Sequence, residues 1–321
     1  MATPRRQQIC LEQTPYYHCI SRCVRRAFLC GIDKLTGRSF EHRRTLIETR
    51  LHELATTFSI DVAAYAIMSN HYHIILRVDQ GAARCWSNAE VVDRWGRLFK
   101  VPDVIQDFAR GKALDTNSRS QAEERVATYR ERLSSISWFM KCLNTDIARA
   151  ANKEDDCTGR FFEGRFKCQA LLDAAALLKC MAYVELNPVR ARTAESAETA
   201  SHTSMAHRLS AERTALLPFA DDLRLSPEMS EGHGQREPAR LPYTFADYRA
   251  LVAWTEALSR RKACKPTPAL LRTHDIDRQA WAAVMSRGAV SRPRALGAIQ
   301  RVREFARAIG QSWMWGAALQ A

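Results

Sequence analysis

Two histidines in His71-Tyr72-His73 and a tyrosine far along the chain, Tyr183, are the side chains whose types and spacing could do chemistry. The histidines fall in residues 61–79, two apolar runs joined at Ser69-Asn70, a pattern that predicts a β-hairpin. Side chains alternate along a strand, so His71 and His73 leave one face while Tyr72 and Ile74 leave the other. Two imidazoles on one face can hold one cation. Taken alone, such a pair is more often ordinary packing or solvated histidines.

The tyrosine lies in residues 173–188, rich in alanine and leucine and predicted helical. Asp173 is placed to cap its start, and Pro188 forces an end near Asn187. At about 100° per residue, Leu177, Met181 and Val184 share the face to be buried. Tyr183 lies roughly opposite, with Lys179 one turn before it and Asn187 one turn after. A phenol on the polar side of an apolar helix is either a half-exposed surface group or a nucleophile.

These groups must be positioned by a chain of 321 residues, long enough to bury a sizeable core in one large domain or two ordinary ones. Net charge of +13, from 48 Lys and Arg against 35 Asp and Glu, favours a polyanionic partner. The sequence has no run of about 20 apolar residues to span a bilayer and no apolar signal segment at its polar N-terminus. A cytoplasmic protein facing nucleic acid, with no membrane partner, is the simplest expectation. The ten cysteines include no C-x-x-C, so zinc-ribbon spacing is absent and most are expected to be small buried hydrophobes in a reducing compartment.

Ahead of the hairpin, residues 1–13 look like a loose basic arm, and residues 15–23 alternate like a strand carrying His18, expected to neighbour the histidine pair rather than ligate a metal. Arg22, Arg25 and Arg26 follow, either along a phosphate backbone or as a solvated cluster. Leu46, Ile47, Leu51, Leu54 and Phe58 recur at helical spacing between that strand and the hairpin. The order strand, helix, strand, strand, then a later helix, strand and helix, gives an antiparallel sheet with helices packed on it, an α+β arrangement.

Residues 80–133 suit a variable insertion, and a helix over residues 135–152 should turn Asn144, Arg149 and Lys153 to DNA or solvent. Arg160, Arg165 and Lys167 interleave with Phe161, Phe162 and Phe166. Cations there could hold phosphates while exposed rings stack on bases, or the phenylalanines could be core and only the charges outside. Arg190 and Arg192 continue the basic surface. Beyond residue 196 come a linker-like polar stretch, then helices near 243–258, 276–286 and 294–310 with basic faces. The Trp313-Met314-Trp315 segment is expected to dock on the body.

The H-x-H in a strand after a hairpin turn, with the later Tyr183-x-x-x-Asn187-Pro188-Val189-Arg190-Ala191, resembles the HUH single-strand transposases. Within them the nearest resemblance is to the REP-associated tyrosine transposases, which residues 161–167 also resemble. It covers roughly residues 14–195. The resemblance implies a ferredoxin-like antiparallel sheet with the histidines on a central strand; the helices read beyond residue 196 add a mostly helical C-terminal extension. The chain is thus expected to divide into a catalytic domain, residues 1–196, and a C-terminal region, residues 197–321, whose basic faces could contact DNA or keep the protein soluble.

The resemblance further implies a metal-dependent endonuclease and strand transferase acting on single-stranded or hairpin DNA in transposition and DNA recombination. Tyr183 would be the nucleophile, leaving a 5′-phosphotyrosine and a free 3′-hydroxyl. His71 and His73 would hold Mg²⁺ or Mn²⁺, with Asn187 as an oxygen ligand; some relatives carry a longer glutamine at that place. Arg22, Arg25, Arg26, Arg160, Arg165, Lys167, Lys179 and Arg190 are the expected DNA contacts. The alternative is a transposase-derived protein that binds hairpin DNA or RNA without cutting it, and relatives leave monomer and homodimer both open.

Overall fold

In the computed structural model, residues 4–24, 29–33, 36–210, 215–222, 239–260, 266–286, 293–314 and 317–318 are described. The alternating run forms β2 (Ile60–Ile67) and β3 (His71–Val78), paired antiparallel. The strand before them is β1 (Tyr16–Arg22), and it pairs with β3 on one side. On its other side lies β4 (Lys167–Leu171), also antiparallel. Two short parallel strands, β5 (Ala295–Gly297) and β6 (Ala317–Ala318), extend the sheet, whose order is β2-β3-β1-β4-β5-β6. The first four strands are arranged as in a ferredoxin-like sheet, and the fold is α+β.

One face of this sheet is apolar. Tyr17 and Cys19 of β1 and Tyr72, Ile74 and Leu76 of β3 are buried there. Against them pack α1 (His42–Thr57), through Ile47, Leu51 and Leu54, and α6 (Ile136–Glu154), through Phe139, Leu143 and Ile147. The helix ends are pinned by Arg43, whose guanidinium donates to Glu154 at 2.7 Å and Asp155 at 2.5 Å. Asn144 does not point to DNA: it accepts from the Tyr72 hydroxyl and donates to Ser21 Oγ at 3.0 Å. Between β3 and α6 lie α2 (Gln80–Cys85), α3 (Asn88–Gly96), α4 (Asp103–Ala109) and α5 (Thr116–Leu133). They pack on one another around Trp95, stacked on Tyr129 with centroids 4.5 Å apart.

The opposite face carries the histidines and receives α7 (Ala174–Glu185), followed by the short α8 (Asn187–Arg190). Asp173 caps α7 as expected from sequence, accepting from the Ala176 N–H at 2.8 Å. Its other oxygen accepts from the Ala298 N–H at 2.7 Å, tying β5 to the start of that helix. Gly297 permits this close approach, since a Cβ there would sit 2.8 Å from Asp173 Oδ2 at a φ of +155°.

The chain after α8 contributes to the same sheet and core. It forms α9 (Ser204–Leu209), α10 (Phe245–Ser259), α11 (Ala269–Thr273), α12 (Arg278–Ser286) and α13 (Ile299–Ala308). Leu251, Val252, Leu271 and Trp281 bury the outer side of α7 in a second apolar cluster. Helix α9 and strand β5 differ from the expected polar stretch and continuous helix; both are too short for a period to show. The N-terminal residues are not a loose arm either. Arg5 lies 3.6 Å over the Phe166 ring and donates to the Phe166 carbonyl at 2.5 Å. Trp313 is 75% exposed rather than docked, and Trp315 lies outside the described residues.

Candidate functional site

Register decides which side chains meet. Residues directly opposite one another on paired strands share a face. On β3 and β1, Ile20 opposes His73 and Arg22 opposes His71. On β1 and β4, His18 opposes Gln169 and Ile20 opposes Lys167. On β2, Ala66 opposes His73 and supplies a methyl small enough to leave the imidazoles room beneath α7. His18, His71, His73, Gln169, Lys167 and Arg22 therefore occupy one side, the side turned toward α7.

The two predicted ligands converge: His71 Nε2 and His73 Nε2 lie 3.0 Å apart. Their other nitrogens are held. The Asn70 side-chain carbonyl accepts from His71 Nδ1 at 2.5 Å, which places that ring's proton on Nδ1 and directs the Nε2 lone pair inward. His73 Nδ1 meets His18 Nε2 at 3.0 Å, with the two rings stacked at 5.1 Å. With His18 accepting, both Nε2 lone pairs face one point, an arrangement that calls for a proton or a cation between them. Neighbouring ligands on an octahedral ion with ~2.1 Å bonds stand ~3.0 Å apart, so the donor pair fits such an ion. His73 and His18 are buried, which limits the rotations that would spread the pair.

Tyr183 comes to the same place. Its ring stands edge-on to His73, with centroids 5.9 Å apart at 83°, in a single chain. It is half-buried, and the Arg190 guanidinium lies 4.9 Å over its ring. Asn187 is buried, and its amide donates to the Tyr183 carbonyl at 2.9 Å, leaving its side-chain oxygen as the remaining acceptor.

The expected DNA contacts divide. Arg160, Arg165, Lys167 and Arg190 are exposed, and Arg22 is half-buried beside His71. Arg25 and Arg26 lie outside the described residues. Lys179 corrects the surface expectation: it is 1% exposed, shut in by the helices that follow α8, and burial lowers its pKa to about 8 against the opposing pull of Asp173. Phe161, Phe162 and Phe166 are all buried and offer no face to a base, so the charges alone remain outside.

Arg165 and Lys167 line a cleft of about 340 Å³ together with Arg5, His18, Gln169 and Arg294. His18 is thus shared between this basic cleft and the histidine pair. Asn70 and Gln169 were not singled out from sequence. The turn position of Asn70 beside His71 was a usable signal for the first, whereas the cross-strand pairing of Gln169 with His18 is visible only in three dimensions.

A second group of potential metal ligands, Glu48, His52 and His207, lies at other residues altogether. Among the described residues, no helix is long and apolar enough to cross a membrane. No family model matches the chain, and no curated protein matches it. Among solved structures, that of a REP-associated tyrosine transposase bound to a REP hairpin resembles it with a TM-score of 0.38. Identity is 10% over 64% of this chain and 84% of that one. At that level the likeness bears on neither the fold nor the chemistry of this chain, which rest on the geometry above.

Proposed function

We propose that this protein is a metal-dependent endonuclease and strand transferase for single-stranded, hairpin-containing DNA, working through a covalent tyrosine intermediate. The observation that carries the reading is the meeting of Tyr183 with a convergent imidazole pair 3.0 Å apart, beside a cation-lined cleft. A pure binding surface has no use for that combination.

His71 and His73, with Asn187 as a third candidate, would hold Mg²⁺ or Mn²⁺, which when bound supplies Lewis acidity to the scissile phosphate. His18 and Asn70 fix the two rings so that their Nε2 atoms stay turned to one point. A free phenol holds its proton near neutral pH. That proton must pass to a nearby base or water, while Arg190 over the Tyr183 ring holds the phenol in place. The Tyr183 oxygen then attacks phosphorus. The new bond is Tyr183 O–P, the bond broken is P–O3′, and the proton given up by the phenol is matched by one gained at the leaving 3′-oxygen. The phosphotyrosine conserves the energy of the phosphodiester, so a second 3′-hydroxyl can reverse the step and join a different strand.

Arg22, Arg160, Arg165 and Lys167 would hold the backbone leading to the site, with no role in reading sequence. The cleft between His18, Gln169 and Arg294 would take the nucleotide next to the scissile phosphate.

Labelled hairpin oligonucleotide incubated with the protein and Mn²⁺ tests this. The expected product is a denaturation-resistant protein–DNA adduct that Tyr183→Phe reduces at least ~10³-fold. Binding without adduct, whichever divalent ion is supplied, would favour a protein that recognises hairpins without cutting them.

A further inference from the structure

At the β2 edge, away from the face that carries His71 and His73, a second set of histidines meets a carboxylate. Glu48 and His52 are one turn apart on α1. His202 and His207 arrive from the segment at α9, which pairs with the edge strand: the Ile67 N–H donates to the His202 carbonyl at 3.1 Å, and Ala66 bridges to Thr203. One nitrogen from each of His52 and His207 and an oxygen of Glu48 lie within 4.8 Å of one another.

Three observations set this cluster apart from packed surface histidines. Both ring nitrogens of His52 are shut off from solvent and have no hydrogen-bond partner among the described residues, although a neutral imidazole carries one donor and one acceptor to satisfy. His52 and His207 are stacked at 4.4 Å, so their nitrogens are gathered rather than splayed. Glu48 is oriented on both sides, accepting from the Tyr65 hydroxyl and from His202 Nδ1 at 2.8 Å. Partners of that kind are what orient a ligating carboxylate. His202 itself holds a left-handed φ of 56°, a conformation that costs a non-glycine residue energy and persists where its surroundings demand it.

We propose that Glu48, His52 and His207 bind a divalent transition-metal ion of the zinc class, independent of the β3 histidine pair and of the reaction proposed above. Two imidazoles and one carboxylate are a donor set suited to such an ion, and the anionic oxygen partly offsets its charge in a half-buried place. Bonds of ~2.0–2.2 Å require the donors to draw closer, a movement that opens the imidazole stack. The role follows from what the ligands join. His207 sits on α9, whose Ser204 hydroxyl and Met205 N–H donate to the buried Glu185 of α7 at 2.5 and 3.1 Å. An ion here fastens α9 to α1 and so braces the helix that carries Tyr183.

The test uses the full chain carrying His71→Ala and His73→Ala, stripped of metal and titrated with Co²⁺ in visible absorbance, then with Zn²⁺ in equilibrium dialysis and thermal melting. The proposal expects one ion per chain, a ligand-field band on Co²⁺ addition, and a rise in Tm with Zn²⁺. Adding His52→Ala and His207→Ala should remove all three. Failure of the first protein to bind stoichiometrically overturns the proposal whether or not the second folds. Binding that survives loss of His52 and His207 in a folded chain overturns it too, and assigns the ion to other residues such as the cysteines.

Discussion

The two faces of the central sheet are built from the same strands and differ in the side chains they carry. Beneath α1 and α6, alternate residues are Tyr17, Cys19, Tyr72, Ile74 and Leu76, all buried among apolar partners. Beneath α7 the same strands turn His18, Arg22, His71 and His73, joined by Lys167 and Gln169 from β4, beside the buried Ile20 and Ile75. The period of two that sends a side chain to one face or the other thus gives β1 and β3 an apolar side and a side where histidines and an arginine gather. Buried polar groups cost free energy unless partnered, and the face proposed to be chemical meets that cost with His18, Asn70 and the cover of α7.

The comparison can be broken from either side. On the apolar face, Leu51→Ala should lower unfolding free energy by about 2–5 kcal/mol, the range for a cavity in a packed core. Activity per folded molecule should be unchanged. Denaturant melts and adduct formation scaled to the folded fraction check both halves, and a loss of chemistry without a loss of stability would merge the two faces.

On the chemical face, His18→Ala should do the reverse. It removes the partner of His73 Nδ1 and is expected to weaken metal affinity by about 10–100-fold, raising the Mn²⁺ concentration needed for adduct formation. A variant that reacts normally at low Mn²⁺ would show that His18 merely fills space.

The smallest effect belongs to Glu185, on the far side of the tyrosine helix. Burial raises its pKa to about 7, against the opposing hydrogen bonds from Ser204 and Met205 and the charge of Arg208. A carboxyl whose folded pKa lies above its unfolded value binds more protons when folded. Its stabilising contribution is full below about pH 4.5 and is lost as pH rises to about 7. Glu185→Gln should flatten that part of the stability profile while leaving both ends of the hydrogen-bonded link to α9 occupied. An unchanged slope would mean that Glu185 is charged throughout.

Much of the scaffold was legible because it is periodic. The hairpin, α1, α6 and the capped α7 all follow from apolar spacing and from Asp173 and Pro188. So did the placing of His71 with His73, since two residues apart on a strand means one face. What escaped depended on contacts between distant parts of the chain. Lys179 reads as polar surface on an isolated helix, and only the later helices bury it. Core is the stronger reading for at least two of the phenylalanines at 161, 162 and 166, and burial of all three goes one further. Glu48 and His52 show helical spacing by themselves, but nothing in the sequence indicates that His202 and His207 fold back beside them.

The central claim is that the phenol of α7 and the imidazoles of β3 act on one phosphate. Mass spectrometry of the tryptic peptide running from residue 180 to residue 190, whose sole tyrosine is Tyr183, tests it most directly after reaction with hairpin DNA and Mn²⁺. The account predicts that peptide carrying a nucleotide through its 5′-phosphate on Tyr183, and none from the His71→Ala chain. A nucleotide on another residue, or cleavage that leaves free 5′-phosphate and an unmodified Tyr183, would contradict it.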